Sequence, residues 1–268
     1  MVAKAAGIHY ARAMSTQTAG RPGPTTVDPA EAAKFDRLAA EWWDPAGPMR
    51  PLHRINPVRL GFIRDEACRH WRREPTAAFP LGGLTVLDVG CGAGLLSEPL
   101  ARLGGRVTGL DPAPAALDVA RQHAAESGLS IDYRGDTVEA LAAAGERFDL
   151  VVAMEVVEHV PDVPAFVAAC AEAAKPGGLL LFATSNRTLR SFALAIVGAE
   201  YVLRWLPRGT HDWERFVTLD EMRDAASRAG LDGFRTRGMA FNPLANSWAL
   251  SADTAVNYLA SAAKPADP

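Results

Sequence analysis

The sequence contains little cysteine and little net charge. Three cysteines, Cys68, Cys91 and Cys170, are scattered over 268 residues without the CxxC spacing of a metal site. This usage excludes a disulfide scaffold and fits a reducing cytosol, so we predict a cytoplasmic protein. With 28 basic and 31 acidic side chains, the formal net charge is −3. The chain therefore lacks a global basic field that would recruit nucleic acid, and nucleic acid is not an expected partner.

Long apolar runs are absent as well. No segment reaches the ~18 uncharged apolar residues that span a bilayer, and the N-terminus lacks the apolar core of a secretory signal. Residues 1–27 carry no acidic side chain and are rich in Gly, Pro and Thr, which predicts a disordered leader. A basic, acid-poor transit peptide has the same composition, and Met14 is an alternative start.

The chain is long enough for one large α/β domain, and its hydrophobic content of 49% is sufficient to form a core. From residue 85 onward, β-type runs alternate with helical ones, as in a parallel sheet covered by helices on both faces. Expected strands are 85–91, 106–111, 131–135, 148–154, 179–186, 232–241 and 246–251, and expected helices are Leu95–Leu103, Ala115–Ser127, Val138–Ala144, Val163–Ala174 and Asp220–Ala229. We predict a doubly wound, mostly parallel seven-stranded sheet of Rossmann-like type.

Two regions lie outside this core. Pro29–Trp43 and Asn56–Trp71 have the pattern of amphipathic helices, and the linker between them holds three prolines that break a continuous helix. After the fifth strand comes a long insert. The expected organisation is a leader (1–27), an N-terminal helical cap (28–80), the ligand-binding domain (81–260) with its insert (187–216), and a tail (261–268).

A glycine-rich loop, "LDVGCGAGLL", follows the first predicted strand and opens the first helix. Gly90, Gly92 and Gly94 allow the backbone to approach a ligand at a helix N-terminus. The dinucleotide fingerprint requires a further glycine where Leu95 stands. Asp88 precedes the glycines and disfavours a pyrophosphate, but it suits a ligand with a charged amine. S-adenosylmethionine (SAM) is therefore favoured over NAD as the ligand, and an NAD(P)-linked oxidoreductase is the alternative.

Asp111 ends the second predicted strand, and a carboxylate at that position can accept both ribose hydroxyls of either nucleotide. The alternative is an aspartate that caps the strand-to-helix turn before Pro112. The combination of Asp88, the glycine spacing and Asp111 is more specific than the glycines alone.

An acidic and histidine-containing segment, "MEVVEHV", follows the fourth predicted strand. If it becomes helical, Glu155, Glu158 and His159 converge on one point and suit a divalent cation such as Mg²⁺, Mn²⁺ or Zn²⁺. Without a metal, the three side chains border the pocket and His159 is the general base. A third interpretation is that the glutamates cap a helix start. His211 and Asp212 form a second candidate base pair.

Several longer segments are far more distinctive than this core. They are "KFDRLAAEWWDPAGPMRPLHRINPVRLGFI", "FDLVVAMEVVEHVPD", "KPGGLLLFATSNRT", "IVGAEYVLRWLPRGTHDWERF" and "NPLANSWALSADTAVNYL". Over about residues 28 to 260, the chain resembles the ubiquinone-biosynthesis O-methyltransferases, the UbiG family of bacteria and its mitochondrial counterparts.

The resemblance implies a class I SAM-dependent enzyme that methylates phenolic hydroxyls of polyprenylated ring precursors at two steps of ubiquinone assembly. The family's SAM contacts fall on Arg59, Gly90, Asp111 and Met154. Arg59 would pair with the methionine carboxylate, Gly90 would give close backbone approach, Asp111 would take the ribose, and Met154 would lie against the adenosine. For the acid–histidine cluster the resemblance points to Mg²⁺, which would favour the phenolate form of a catechol. A SAM-dependent enzyme for another small phenol and a non-catalytic SAM-binding scaffold are the alternatives.

Polyprenyl substrates reside in the bilayer, so the enzyme needs a way to reach them. Residues 187–208 are mostly apolar with arginines near their ends, which is typical of an interfacial helix on anionic headgroups or of a lid over the active site. We therefore expect peripheral contact with the inner membrane through 187–208, and other ubiquinone-biosynthesis proteins as partners.

Overall fold

The computed structural model describes residues 25–193 and 213–267. One sheet of eight strands organises them. The strands are β1 Thr85–Val89, β2 Arg106–Leu110, β3 Asp132–Arg134, β4 Phe148–Met154, β5 Ala174–Ser185, β6 Asp232–Asn242, β7 Ser247–Ser251 and β8 Asn257–Ala263. The helices are α1 Pro29–Asp36, α2 Arg50–Trp71, α3 Ser97–Arg102, α4 Pro114–Glu126, α5 Val138–Ala143, α6 Val163–Ala173, α7 Leu189–Ser191 and α8 Leu219–Arg228.

The strand order is β3-β2-β1-β4-β5-β8-β6-β7. The first five strands in this order pair in parallel, and the last three join by antiparallel pairing. The doubly wound, mostly parallel α/β fold is thereby confirmed. The sheet has eight strands, however, and not the predicted seven.

The additional strand is β8, which lies between β5 and β6. Its carboxyl-terminal half consists of Ala and Ser, of which Ala has low strand propensity, and residues from 261 onward are predicted to form a tail. In the structure Ser261 pairs with Leu181, and the strand continues to Ala263. The sheet thus includes the first residues of the predicted tail.

The N-terminal helices differ from prediction in their bounds. α1 ends at Asp36, and a single 3₁₀ turn, Ala39–Glu41, follows it. α2 begins at Arg50 instead of Asn56, because Pro51 lies in the first helical turn, where no intrahelical N–H bond is required. The predicted leader also ends earlier than residue 27, since Thr26 is buried and its backbone N–H donates to Glu139 at 2.9 Å.

Helices cover both faces of the sheet, and β4 at its centre is buried on both sides. Leu150 and Val152 face the apolar cluster that includes α2, whereas Val151 and Ala153 face the cluster that includes α6 and α8. Among the described residues, no helix is both long and apolar enough to cross a bilayer. The carboxyl ends of β1, β2 and β4 meet at one edge of the sheet, which is where open α/β sheets bind ligands.

Candidate active site

A cavity of about 570 Å³ opens at this edge. The glycine-rich loop, the ends of β2 and β4, and the start of α5 form its floor and sides. The N-terminal segment from Thr26 to Arg59 forms the opposite wall. Apart from Gly92 and the second candidate base pair, His211 and Asp212, the residues predicted to bind the cofactor or to act in catalysis line this cavity: Arg59, Gly90, Asp111, Met154, Glu155, Glu158 and His159.

Two glycines of the loop have positive φ angles, and each also has a neighbouring side chain that leaves no room for a β-carbon. Gly90 and Gly92 have φ angles of 71° and 52°. A β-carbon at Gly90 would lie 2.3 Å from the Val156 side chain, and one at Gly92 would lie 2.3 Å from the Trp42 ring. Gly92 therefore borders the site through Trp42, which lines the cavity.

Two aspartates flank this loop. Asp88 is buried and accepts a 2.6 Å hydrogen bond from the Ser97 hydroxyl, and burial raises the pKa of Asp88 to about 7. Asp111 accepts hydrogen bonds at 2.8 Å from the N–H groups of Gly92 and Ala113, and burial raises the pKa of its carboxyl. Asp111 thus ties the glycine loop to the end of β2. Each of its oxygens retains a lone pair for a ligand hydroxyl.

Arg59 extends from α2 into the cavity wall and is 5% exposed. Its Nη2 lies 2.8 Å from Glu155 Oε1, an ion pair outside hydrogen-bonding geometry. Neither Nη2 nor Nε has a hydrogen-bond acceptor, although both are buried. Buried guanidinium donors without acceptors are costly, so the arrangement suits an anionic ligand group that would accept from them.

The backbone turns sharply where β4 ends. Glu155 has a φ of 57°, in the left-handed region that non-glycine residues rarely adopt. The turn directs Glu158 inward, where Thr184 on β5 donates a 2.6 Å hydrogen bond to its carboxyl. Burial, followed by the negative charge of Glu155, raises the pKa of Glu158 to about 8. The fold therefore favours the protonated form of this carboxyl more than solvent does.

His159 contacts a residue that the sequence analysis missed. Its Nδ1 lies 2.9 Å from Glu31 Oε2 in the first turn of α1, and the Phe35 ring packs edge-on against the imidazole at 5.1 Å. Burial lowers the pKa of His159, and this effect exceeds the opposing effect of Glu31. Glu31 is 128 residues away in the chain, and no local pattern identifies it.

The structure does not place the three side chains of the predicted metal cluster on one helix face. Val157–His159 is a single 3₁₀ turn that excludes Glu155, so the helical spacing on which the prediction depended is wrong. The three side chains instead have separate principal partners, namely Arg59, Thr184 and Glu31. Within the described parts of the chain, no group of three His, Cys, Asp or Glu side chains could hold a metal ion.

Other predicted features lie elsewhere. Met154 is buried at the end of β4 and borders the cavity. His211 and Asp212, together with residues 194–208 of the predicted membrane segment, lie outside the described residues. Asp136 and Thr137, which follow β3, also line the cavity, although the sequence analysis did not select them.

Comparison with known proteins identifies the family of this chain. Residues 87–182 match the family model described as a methyltransferase domain. A ubiquinone biosynthesis O-methyltransferase of Methylobacterium nodulans is 61% identical, over 91% of this chain and 97% of that protein. One from Cereibacter sphaeroides is 57% identical, over 88% of this chain and 96% of that protein.

Solved structures agree at the level of the fold. Magnesium protoporphyrin IX methyltransferase from Synechocystis PCC 6803 with bound SAM superposes with a TM-score of 0.57 at 17% identity, covering 90% of this chain and all of that one. A sarcosine dimethylglycine methyltransferase, described as putative, from Galdieria sulphuraria gives 0.57 at 15% identity, covering 87% and 98% of the two chains.

The identity to the curated relatives extends beyond the methyltransferase core to the N-terminal helices and the last strands. It excludes the alternative of an NAD(P)-linked oxidoreductase. The chain belongs to the ubiquinone biosynthesis O-methyltransferases, which are class I SAM-dependent enzymes.

Proposed function

We propose that the chain transfers the methyl group of SAM to phenolic hydroxyls of polyprenylated intermediates at two steps of ubiquinone biosynthesis, acting as a 2-polyprenyl-6-hydroxyphenol methylase and a 3-demethylubiquinol 3-O-methyltransferase. The observation that carries the proposal is the cavity, in which Arg59, with buried N–H groups that lack hydrogen-bond acceptors, and the Glu31–His159 pair line the same space. The first group suits the cofactor, and the second suits proton removal from a substrate.

The residues of the cavity fit SAM. The Nε and Nη2 of Arg59 can donate to the methionine carboxylate, and Asp111 can accept from the ribose hydroxyls. Gly90 gives close backbone approach, and Met154 provides an apolar surface for the adenosine. When bound, SAM supplies an electrophilic methyl group on a sulfonium sulfur.

His159 is the general base in this proposal. A phenol has a pKa near ~10 and is a weak nucleophile at neutral pH, so loss of its proton is required for efficient attack. With Nδ1 of His159 facing Glu31, Nε2 is the ring nitrogen that carries the basic lone pair. The remaining catalysis is the in-line positioning of the phenol oxygen against the methyl group of SAM.

Magnesium, which the family resemblance implies, has no step in this proposal because the residues do not fit it. Glu155 pairs with a guanidinium, and Glu158 is buried beneath a threonine hydroxyl. Burial and the neighbouring charge of Glu155 also raise the pKa of Glu158, whereas divalent cations require deprotonated ligands.

Three measurements test the proposal. Calorimetric titration should show binding of SAM and no binding of NADH. Methyl transfer to a short-chain catechol separates an enzyme from a SAM-binding scaffold, and comparison with simple phenols tests the substrate class. Turnover should survive thorough chelation by EDTA. Loss of turnover that Mg²⁺ restores would contradict the metal-free base and would mean that Glu155 and Glu158 take up a cation.

We also propose peripheral contact with an anionic inner-membrane surface through 187–208. Leu189 and Phe192, at the beginning of this segment, are 83% and 44% exposed, which supports an apolar surface there. Flotation with phosphatidylglycerol vesicles should decrease when 187–208 are deleted. Leu244→Ser is the control, since Leu244 is also exposed but lies outside the segment. Equal flotation with and without the segment would contradict the contact.

A further inference from the structure

The contact between Glu31 and His159 joins two distant parts of the fold. Glu31 lies in the first turn of α1, and His159 ends the 3₁₀ turn after β4. Glu31 Oε2 and His159 Nδ1 are 2.9 Å apart, and both residues line the cavity. An ionised carboxylate has lone pairs but no proton, so the hydrogen in this contact belongs to Nδ1. The contact therefore selects one tautomer of the imidazole.

We propose that Glu31 is a positioning residue for methyl transfer, which holds His159 in the tautomer and orientation that leave Nε2 free to accept the phenol proton. The inference rests on the proposed function of His159 as the general base. In this step the phenol O–H bond breaks, an Nε2–H bond forms, and the electron pair remains on the phenol oxygen. The imidazolium that forms is then stabilised by the Glu31 carboxylate.

Two cations lie near the Glu31 carboxylate. Lys34 Nζ lies 4.0 Å from Oε2, and Arg215 Nη1 lies 3.7 Å from Oε1. The helix that carries Glu31 is capped by Asp28, whose carboxylate also accepts from Arg215 at 3.2 Å. The Phe35 ring, one helical turn further along α1, packs edge-on against the His159 imidazole and limits its rotation. The pair is thus preorganised before a substrate enters.

A purely structural role would have a different consequence. Partly exposed ion pairs contribute little to stability, so a structural Glu31 would affect the melting temperature slightly and turnover hardly at all. A positioning role predicts the opposite pattern. Turnover should fall strongly, whereas stability and cofactor affinity should remain near those of the wild type.

The test uses Glu31→Gln in the full chain with a short-chain catechol as substrate. The amide can either accept from Nδ1 or donate to it, so it no longer selects one tautomer. We expect kcat to fall roughly 100-fold, within the range of a general base contribution, while KM for the catechol and the affinity for S-adenosylhomocysteine stay within about twofold. Glu31→Asp keeps the carboxylate and should recover part of kcat. Glu41→Gln is the matched control, because Glu41 is exposed on the same N-terminal segment.

Nitrogen-15 NMR of the histidine rings gives a readout besides activity. The wild type should show His159 with protonated Nδ1 and unprotonated Nε2, as assigned with His159→Gln, and Glu31→Gln should show a mixture of tautomers. Unchanged kcat and an unchanged tautomer in a folded Glu31→Gln protein would overturn the inference. If the wild type does not methylate the catechol at all, the proposed function fails instead, and the two failures remain distinct.

Discussion

At the scale of single residues, Arg59 is the most exacting position of the cofactor site. It is buried and forms an ion pair with Glu155, and its Nε and Nη2 groups have no hydrogen-bond acceptor. Arg59→Lys keeps the charge but loses the planar fork that matches a carboxylate. We expect the affinity for SAM to fall at least about tenfold, equivalent to ~1.4 kcal/mol. Calorimetry measures it, and Arg64→Lys on the exposed side of α2 is the control. If both variants bind SAM with equal affinity, Arg59 does not contact the cofactor.

Gly92 provides a second residue-scale prediction. Gly92→Ala adds a β-carbon 2.3 Å from the Trp42 ring, at a φ of 52°. We expect a loss of about 2–4 kcal/mol in unfolding free energy from strain and overpacking, together with weaker SAM binding. Gly128→Ala is the matched control, since its φ of 67° imposes strain but no atom lies within 4 Å. Urea denaturation should give a smaller loss of about 1–2 kcal/mol for the control. Equal losses of unfolding free energy in the two variants would mean that the Trp42 ring moves aside with no measurable effect on stability.

The sequence predicts some of these residues and not others for a physical reason. Asp88, Gly90 and Asp111 occupy fixed positions relative to strand ends, so local pattern and position in the sheet suffice to select them. Glu31 and Trp42 acquire their roles from tertiary contacts with His159 and Gly92. Such contacts leave no periodicity in the sequence.

At the scale of elements, Asp149 joins three neighbouring strands. Its carboxylate accepts from the Thr85 N–H and hydroxyl at 2.7 and 2.6 Å on β1, and from Lys175 Nζ at 2.9 Å on β5. Burial alone would raise the pKa of Asp149, but the hydrogen bonds from Thr85 and the pairing with Lys175 outweigh it and lower the pKa. The charged form is therefore the one that the fold stabilises.

The pH dependence of an Asp149→Asn variant follows from this sign. Because the folded pKa lies below the unfolded one, the stabilisation is complete above the unfolded pKa of ~3.9 and is lost as pH falls through the folded pKa. Asp149→Asn should cost about 1–2 kcal/mol at pH 7, and the difference from wild type should narrow as pH falls toward 3. Urea unfolding at a series of pH values measures it. A pH-independent difference would contradict a role for the charge.

Strand and helix types follow from sequence more reliably than their bounds. β4 is predicted at its observed bounds because the apolar run that follows Asp149 ends at the charged Glu155. β8 was not predicted, since an Ala- and Ser-rich strand has weak local preference and is stabilised by burial between β5 and β6. The early start of α2 likewise depends on Pro51 occupying a position where its missing N–H has no consequence.

At the scale of the whole molecule, the N-terminal segment 25–36 forms polar contacts with elements that lie far apart in the sequence and surround the cavity. Thr26 bonds to Glu139 on α5, Asp28 pairs with Arg215 near the end of the insert, and the Ala115 N–H at the start of α4 donates to Asp36. These contacts are partly exposed, so each contributes little to global stability. Their shared effect is to hold α1, and with it Glu31, over the site.

The combined variant Thr26→Val/Asp28→Ala should loosen this segment without unfolding the sheet. It removes the Thr26 hydroxyl contact, the Arg215 pairing and the cap of α1, which is expected to cost the helix about 1 kcal/mol. We expect faster hydrogen exchange in α1, a lower kcat, and a melting temperature near that of wild type. S-adenosylhomocysteine should restore part of the protection if the bound ligand contacts the same wall of the cavity. The control Thr76→Val/Asp65→Ala changes residues outside the cavity lining. Equal exchange rates in α1 for the variant and the control would contradict this prediction. The segment would then be held by its apolar contacts, chiefly that between Phe35 and Trp42. Its polar contacts would have no role in orienting His159.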